Sequence, residues 1–373
     1  QKGKMLVRCR ERTSALSGIV RGCLNPSSKL GIDLAQSSES TGRKDYETFR
    51  KMLGDSAENV EHQVNKLIMG WKEMRNEVES QGILDAFMKP LELLATCTCL
   101  LGANQDLCCM VAREQLVSAV VGVYSAILNM FDILIQTEGI DKVQYNKVCG
   151  PAAGMVWEAC KRIIALPKTN RMSVKRNLLQ SMVVMKDTHA EFSKVLSKAK
   201  EEDDGDQSDA ENSMQAEVEY PVGSDEWYDM MDRLQEDESM DEEDVERLEN
   251  MLAFIQDCVE MFCKSAGVVG SVAPFQKGAS NEEQHLKLQR EYTKWLNGVT
   301  DLGNNIKQEI DALGMLLYPP HDEDQIQAKM VVIRERLDKF TQHIISRHNN
   351  QGDLGSSDDE LLALMNRVNN LKL

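Results

Sequence analysis

With 373 residues the chain is long enough for two or three ordinary domains and a sizeable core. Aromatics make up only 5 % while methionine numbers 20, a composition weighted towards residues that lose little in a helix. The formal charge of −17 is local: residues 201–244 hold twenty acidic residues and only Arg233 as a base, a net −19 that leaves +2 for the rest. The pI therefore describes no whole surface, and the chain lacks the concentrated basic, aromatic-bearing platform that nucleic-acid readers use.

Residues 1–44 carry nine basic and three acidic residues with loop-like stretches, NPSSKLG and AQSSESTGRK, and read as a weakly structured basic lead-in. No apolar core region follows the first basic residues, so no secretory signal is expected here. From Asp45 the period changes. Phe49, Leu53, Val60, Val64, Leu67, Trp71, Met74 and Val78 mark one helical face, which Gln81-Gly82 closes. Apolar helical segments follow near 83–102, 116–135 and 147–166, and a stripe of Leu178, Met182, Met185, His189, Phe192 and Leu196 completes a five-helix bundle over 45–200.

Residues 116–135, LVSAVVGVYSAILNMFDILI, are long enough to span a bilayer. Yet Val117, Val121, Tyr124, Leu128, Phe131 and Ile135 recur at spacings of three and four, as in a helix packed among helices. Asp132 would cost about 2.5–3.5 kcal/mol near a bilayer centre, somewhat less towards one end. The central helix of a bundle, with no membrane contact, is the expectation.

Residues 201–242 form an acidic linker without apolar period, expected to be disordered. Trp227, Tyr228, Met230 and Met231 stand out in it as a short acidic-amphipathic segment. They suit either docking on a basic apolar groove of a partner or clipping onto the chain's own bundle. Upstream, residues 161–200 carry a net +8. Either this is a solvated charged face, or the acidic linker folds back over it; anion binding that strengthens on deleting 203–240 would separate the two. The last domain, 243–373, carries Leu248, Leu252, Ile255, Val259 and Phe262, then Leu288 to Leu317, then Ile326, Met330, Ile333, Leu337, Phe340 and Ile344, then a short run at 357–372. The sum is an all-α protein of about nine helices in up-and-down bundles.

Chemistry-bearing patterns are sparse. GVVGS at 267–271 lacks the P-loop lysine and the dinucleotide spacing. His189 reads as a satisfied core histidine, and His343 and His348 are five apart, not the four that puts two ligands on one face. Ten cysteines without a C-x-x-C pair read as reduced, mostly buried small hydrophobes, and Cys97, Cys99, Cys108 and Cys109 make a metal site only if the loop between them closes tightly. No cofactor, metal or catalytic site is expected, and no enzyme. Ser208, Ser239, Ser356 and Ser357 each precede an acid by three residues. Ser208 is the cleaner phosphorylation candidate, whereas Ser239 and Ser357 also fit capping boxes. In LLYPPHDED, residues 316–324, Pro319 forces Tyr318 out of the α region and Asp322 is placed to cap the next helix, so the two prolines read as helix punctuation.

The segments VWEACKRIIALPKTN (156–170), MKDTHAEF (185–192) and DALGMLLYPP (311–320), with an acidic linker between, resemble the cyclin-D-binding protein family, cyclin-D-interacting helix-loop-helix-like regulators. The resemblance spans roughly 45–350. It implies an all-helical, non-enzymatic regulator, cytoplasmic and nuclear, that binds D-type cyclin, pairs with helix-loop-helix transcription factors without touching DNA, and restrains the cell cycle. A vinculin- or catenin-like helical scaffold would carry the same stripes and is the alternative.

Overall fold

The computed structural model describes residues 2–24, 46–74, 76–137, 139–203, 242–272, 282–317, 322–348 and 356–370. Among them every regular element is a helix: α1 (Lys2–Gly22), α2 (Tyr46–Trp71), α3 (Glu77–Ala103), α4 (Met110–Gln136), α5 (Lys142–Ile164), α6 (Asn170–Asp203), α7 (Glu242–Ser271), α8 (Glu282–Met315), α9 (Glu323–His348) and α10 (Ser356–Asn370). The all-α expectation holds. Nine of these helices are the expected ones, and α1 is the addition.

Two compact units share them: Gln1–Lys175 with Ala273–Gly298, and Arg176–Val272 with Val299–Leu373. This differs from a bundle over 45–200 followed by a domain from 243. In the first unit the five bundled helices are α1 to α5, and α1 occupies a place against α3 and α4. The basic lead-in was not expected to be structured because its inward stripe is weakly apolar. Leu6, Cys9, Thr13, Ser17 and Val20 are buried, two of them hydroxyl residues. The Thr13 hydroxyl donates back to the Cys9 carbonyl at 2.8 Å, so the polar atom is satisfied inside its own helix. Small residues on this stripe let the α1 backbone approach its neighbours.

The first stripe is also shorter than its period suggested. Phe49, Leu53, Val60, Val64, Leu67, Trp71 and Met74 are buried as expected, but Val78 is 83 % exposed. The helix stops at Trp71, and Asn76 starts α3, its Oδ1 accepting the Glu79 N–H at 2.8 Å. Gln81 and Gly82 lie inside α3. An N-cap acceptor, Asn76, followed by Glu77 and Glu79 overrides the apolar register.

Helix α4 packs on α1, α3 and α5. Three-sided burial explains why its inward face is broader than the seam read from the sequence. Val117, Tyr124 and Phe131 are buried, and so are Leu116, Val120, Val123, Ile127, Met130 and Leu134. Tyr124 donates its hydroxyl to the Leu91 carbonyl at 2.7 Å, and Phe87 meets Phe131 edge-on with centroids 5.6 Å apart. Both α3 and α4 are long and apolar enough to cross a membrane, but their apolar faces are covered here by neighbouring helices. Asp132 takes a two-point ion pair from Arg10 of α1, Nε to Oδ1 at 2.5 Å and Nη2 to Oδ2 at 3.2 Å.

In the second unit Leu248, Leu252, Ile255, Val259 and Phe262 of α7 are all buried, as are Ile326, Met330, Ile333, Leu337, Phe340 and Ile344 of α9. Phe262 stacks on Phe340 at 5.3 Å. Gly303 of α8 lies where a Cβ would come within 2.9 Å of Leu178 and 3.7 Å of Phe262, so the helices approach closely at that point. Helix α10 packs on α7 and α9.

Candidate docking surface

Among the described residues no three His, Cys, Asp or Glu side chains are disposed around one metal-sized point. Cys97 and Cys99 lie on α3, while Cys108 and Cys109 precede α4. Burial pushes the Cys109 thiol up to about 11 and raises the Cys108 thiol as well, which favours the protonated form rather than the thiolate a metal needs. Their backbone serves to start α4. Cys109 as N-cap offers no side-chain bond, so Asn170 Oδ1 accepts the Cys109 N–H at 3.2 Å and Asn297 Oδ1 accepts the Met110 N–H at 2.7 Å. His189 is half-buried one turn from Ser193, whose hydroxyl donates to the His189 carbonyl at 2.8 Å. Desolvation depresses its pKa, as expected for an imidazole on an apolar seam.

Trp227, Tyr228, Met230 and Met231 lie outside the described residues, as do Ser208 and Ser239; the side chains of Ser356 and Ser357 are also outside them. The Tyr318-Pro319-Pro320 step is outside as well, but its flanks carry helix ends. Helix α8 closes at Met315, and Asp322 Oδ1 accepts the Gln325 N–H at 3.0 Å to open α9. The charged 161–200 run is partly paired: Lys161 meets Glu158 at 2.7 Å and holds that carboxyl below its usual range, and Lys200 pairs with Glu249.

A concave surface that sequence reading did not identify lies between α4 and α5. Gly122 and Ala126 form one wall, and Pro151, Gly154, Met155 and Ala159 the other. Glu158 and Arg162 sit at its rim, and its volume is about 460 Å³. A Cβ placed on Gly122 or Gly154 would meet nothing within 4 Å, so both glycines open directly into the groove. Helix spacing explains the wall on α5. Pro151, Met155, Glu158 and Arg162 follow at four, three and four residues, on a flank of the buried stripe Cys149, Ala152, Val156, Ala159, Cys160 and Ile163. Met155 is 46 % exposed, and Val148, one heptad earlier, is also exposed. Glycine and alanine four apart on an otherwise apolar helix was the available signal, masked by the stronger signal of the buried stripe beside it. Chemically the groove offers van der Waals contact, close backbone approach and a rim of two opposite charges. Its ionisable lining residues are Glu158 and Arg162, both at the rim.

No curated protein matches the chain. Residues 52–198 match the family model described as Grap2 and cyclin-D-interacting, N-terminal, a stretch that contains α4, α5 and the groove between them. Over these residues the chain is similar to the cyclin-D-interacting family.

Proposed function

We propose that this protein is a non-enzymatic interaction regulator that binds D-type cyclin through the α4–α5 groove. The observation that carries the reading is the family match over 52–198. The geometry supports the groove as the contact surface, because small residues on both walls admit a partner helix and exposed Met155 supplies an adaptable apolar contact. A bundle of this kind regulates by occupying a surface, and the consequence of covering a cyclin is restraint of cyclin-dependent phosphorylation and of cell-cycle progression. Pairing with helix-loop-helix factors, and residence in both cytoplasm and nucleus, belong to the same proposal.

The test is calorimetry of the full chain with a purified D-type cyclin at moderate salt. Saturable one-to-one binding is expected, and Gly154→Leu, which fills open space without a steric conflict, weakens it at least tenfold while leaving the melting temperature unchanged or higher. Binding that survives groove filling moves the contact to another face. Absence of binding by folded, helical protein rejects the cyclin reading and favours the scaffold class.

A further inference from the structure

Of α1 to α5, α1 is the least apolar helix, yet it is seated on the two most apolar, α3 and α4. Its apolar residues are not all turned to that seat. Val7 and Ile19 are exposed, while Thr13 and Ser17 are buried, at 0 % and 5 %. Thr13 meets α3 with its hydroxyl 3.8 Å from the Met88 sulfur, a weak contact beside its bond to the Cys9 carbonyl. With two hydroxyl residues in the middle of its stripe, α1 buries less apolar area than a helix with leucine-sized residues there. Local sequence and tertiary place disagree at this helix, and such disagreements concentrate at functional sites.

The rest of the attachment is largely charge, and it comes from both walls of the seat. Arg10 pairs with Asp132 of α4 at 2.5 Å, and Arg12 pairs with Glu92 of α3. All four side chains are about two-fifths or more exposed, so each pair adds little stability. What the two carboxylates fix is the sign of the occupant. The seat has an acid on each rim and accepts a helix with a base on each flank. Residues 25–45 join α1 to α2, a stretch that reaches up to about 70 Å when extended. Helix α1 can therefore leave its seat while α2 to α5 keep their places.

We propose that the α3–α4 face beneath α1 is a docking site for a basic amphipathic helix of a partner protein, and that α1 is its displaceable occupant. The partner helix carries leucine-sized residues where α1 has Cys9, Thr13 and Ser17, a spacing of four that keeps them on one face, and basic residues at the places of Arg10 and Arg12. Such a helix buries more apolar area on the same seat and keeps both ion pairs. Because leucine is larger than threonine or serine, it sits further from α3 and α4 than α1 does. The tether holds α1 at an effective concentration of about millimolar, so only a helix that binds the seat better displaces it. The site is formed by α3 and α4 and the cyclin groove by α4 and α5, so the inference does not rest on the cyclin reading.

The test uses the full chain and a synthetic peptide of residues 2–22 carrying Thr13→Leu and Ser17→Leu. Saturable binding is expected, at least tenfold tighter than that of the unaltered 2–22 peptide. Hydrogen exchange of the chain's own α1 amides is expected to quicken at least tenfold on binding, with α2 and α5 unchanged. No binding, equal binding of the two peptides, or binding that leaves α1 exchange as it was overturns the proposal. Adding Arg10→Glu and Arg12→Glu to the leucine peptide is expected to weaken binding at least tenfold, and undiminished binding overturns the charge argument. Leu6→Ala in the chain removes a buried side chain of α1 without altering the seat, and is expected to tighten binding of the leucine peptide at least fivefold. An unchanged affinity in the folded variant shows that the peptide does not compete with α1 and overturns the proposal. The measurements on the parent chain decide the matter where that variant does not fold.

Discussion

Arg50 shows how a single charged side chain is used as structure. It is only 7 % exposed, and its Nη2 donates to the Ile164 carbonyl at 2.6 Å and to that of Leu166 at 3.0 Å. These are carbonyls at the C-terminal end of α5, where no helical N–H is left to meet them and the macrodipole favours a cation. Arg50→Met is expected to lower unfolding free energy by about 2 kcal/mol, read as a lower urea midpoint with unchanged slope. In the sequence Arg50 was simply a charge beside an apolar stripe; its partners lie more than a hundred residues away. His189 was legible as a core histidine because its spacing put it on the stripe. Its pKa is depressed in the folded chain, so the unfolded chain binds the proton more readily. Its contribution to stability is therefore present above the unfolded value of about 6.5 and is lost as pH falls through the folded value. His189→Gln is expected to flatten the fall in melting temperature on acidification below about pH 6.5, measured against the parent chain.

Among elements, the two helix starts at α4 and α9 contrast. Asp322 caps α9 locally and was readable from HDEDQ alone, although the Gln325 amide reaches the Asp322 carboxylate rather than the Asp322 backbone. The α4 start was not readable, because its acceptors come from Asn170 and Asn297, on two distant helices. Asn297→Ala is expected to cost about 1 kcal/mol and to raise hydrogen exchange selectively in the first turn of α4, whereas loss of a remote surface amide would move neither. Helix α10 is short, and charge helps to hold it. Arg367 pairs with Asp257 and with Glu260 at 2.6 Å, and Lys264 reaches Glu360 at 2.8 Å. Asp257 is 8 % exposed but Arg367 about half exposed, so the pair is worth only about 1 kcal/mol after solvent screening. Arg367→Ala is expected to accelerate α10 amide exchange about fivefold while α7 exchanges as before.

For the whole molecule, the proposed binding of a cyclin in the α4–α5 groove would carry a heat-capacity signature. Burying Met155 and the small-residue walls makes the binding enthalpy more negative as temperature rises, so calorimetry at 15 and 30 °C, about the practical range, is expected to give a negative slope. A slope near zero with strong salt dependence would instead place the contact on charged surface. The division into two compact units was not legible. The apolar stripes specify which face of each helix is buried, but many neighbours satisfy the same stripe, and α1 shows that even a stripe interrupted by Cys9, Thr13 and Ser17 finds a place once α3 and α4 supply the surface.

The sequence by itself determined the all-helical class, nine of the ten helices among the described residues, most of their buried faces and the local cap at Asp322, because helix period and capping depend on residues within a few positions of one another. Its motifs also carried the family resemblance that the match over 52–198 supports. Only the tertiary structure decided that α1 belongs to the first bundle, that the apolar face of α4 is covered on three sides, that Gly122 and Gly154 open one groove, and that Cys23 is pressed against Gly102. Each of those depends on contacts between residues far apart in the chain, and no local pattern encodes which distant helix will supply the other side.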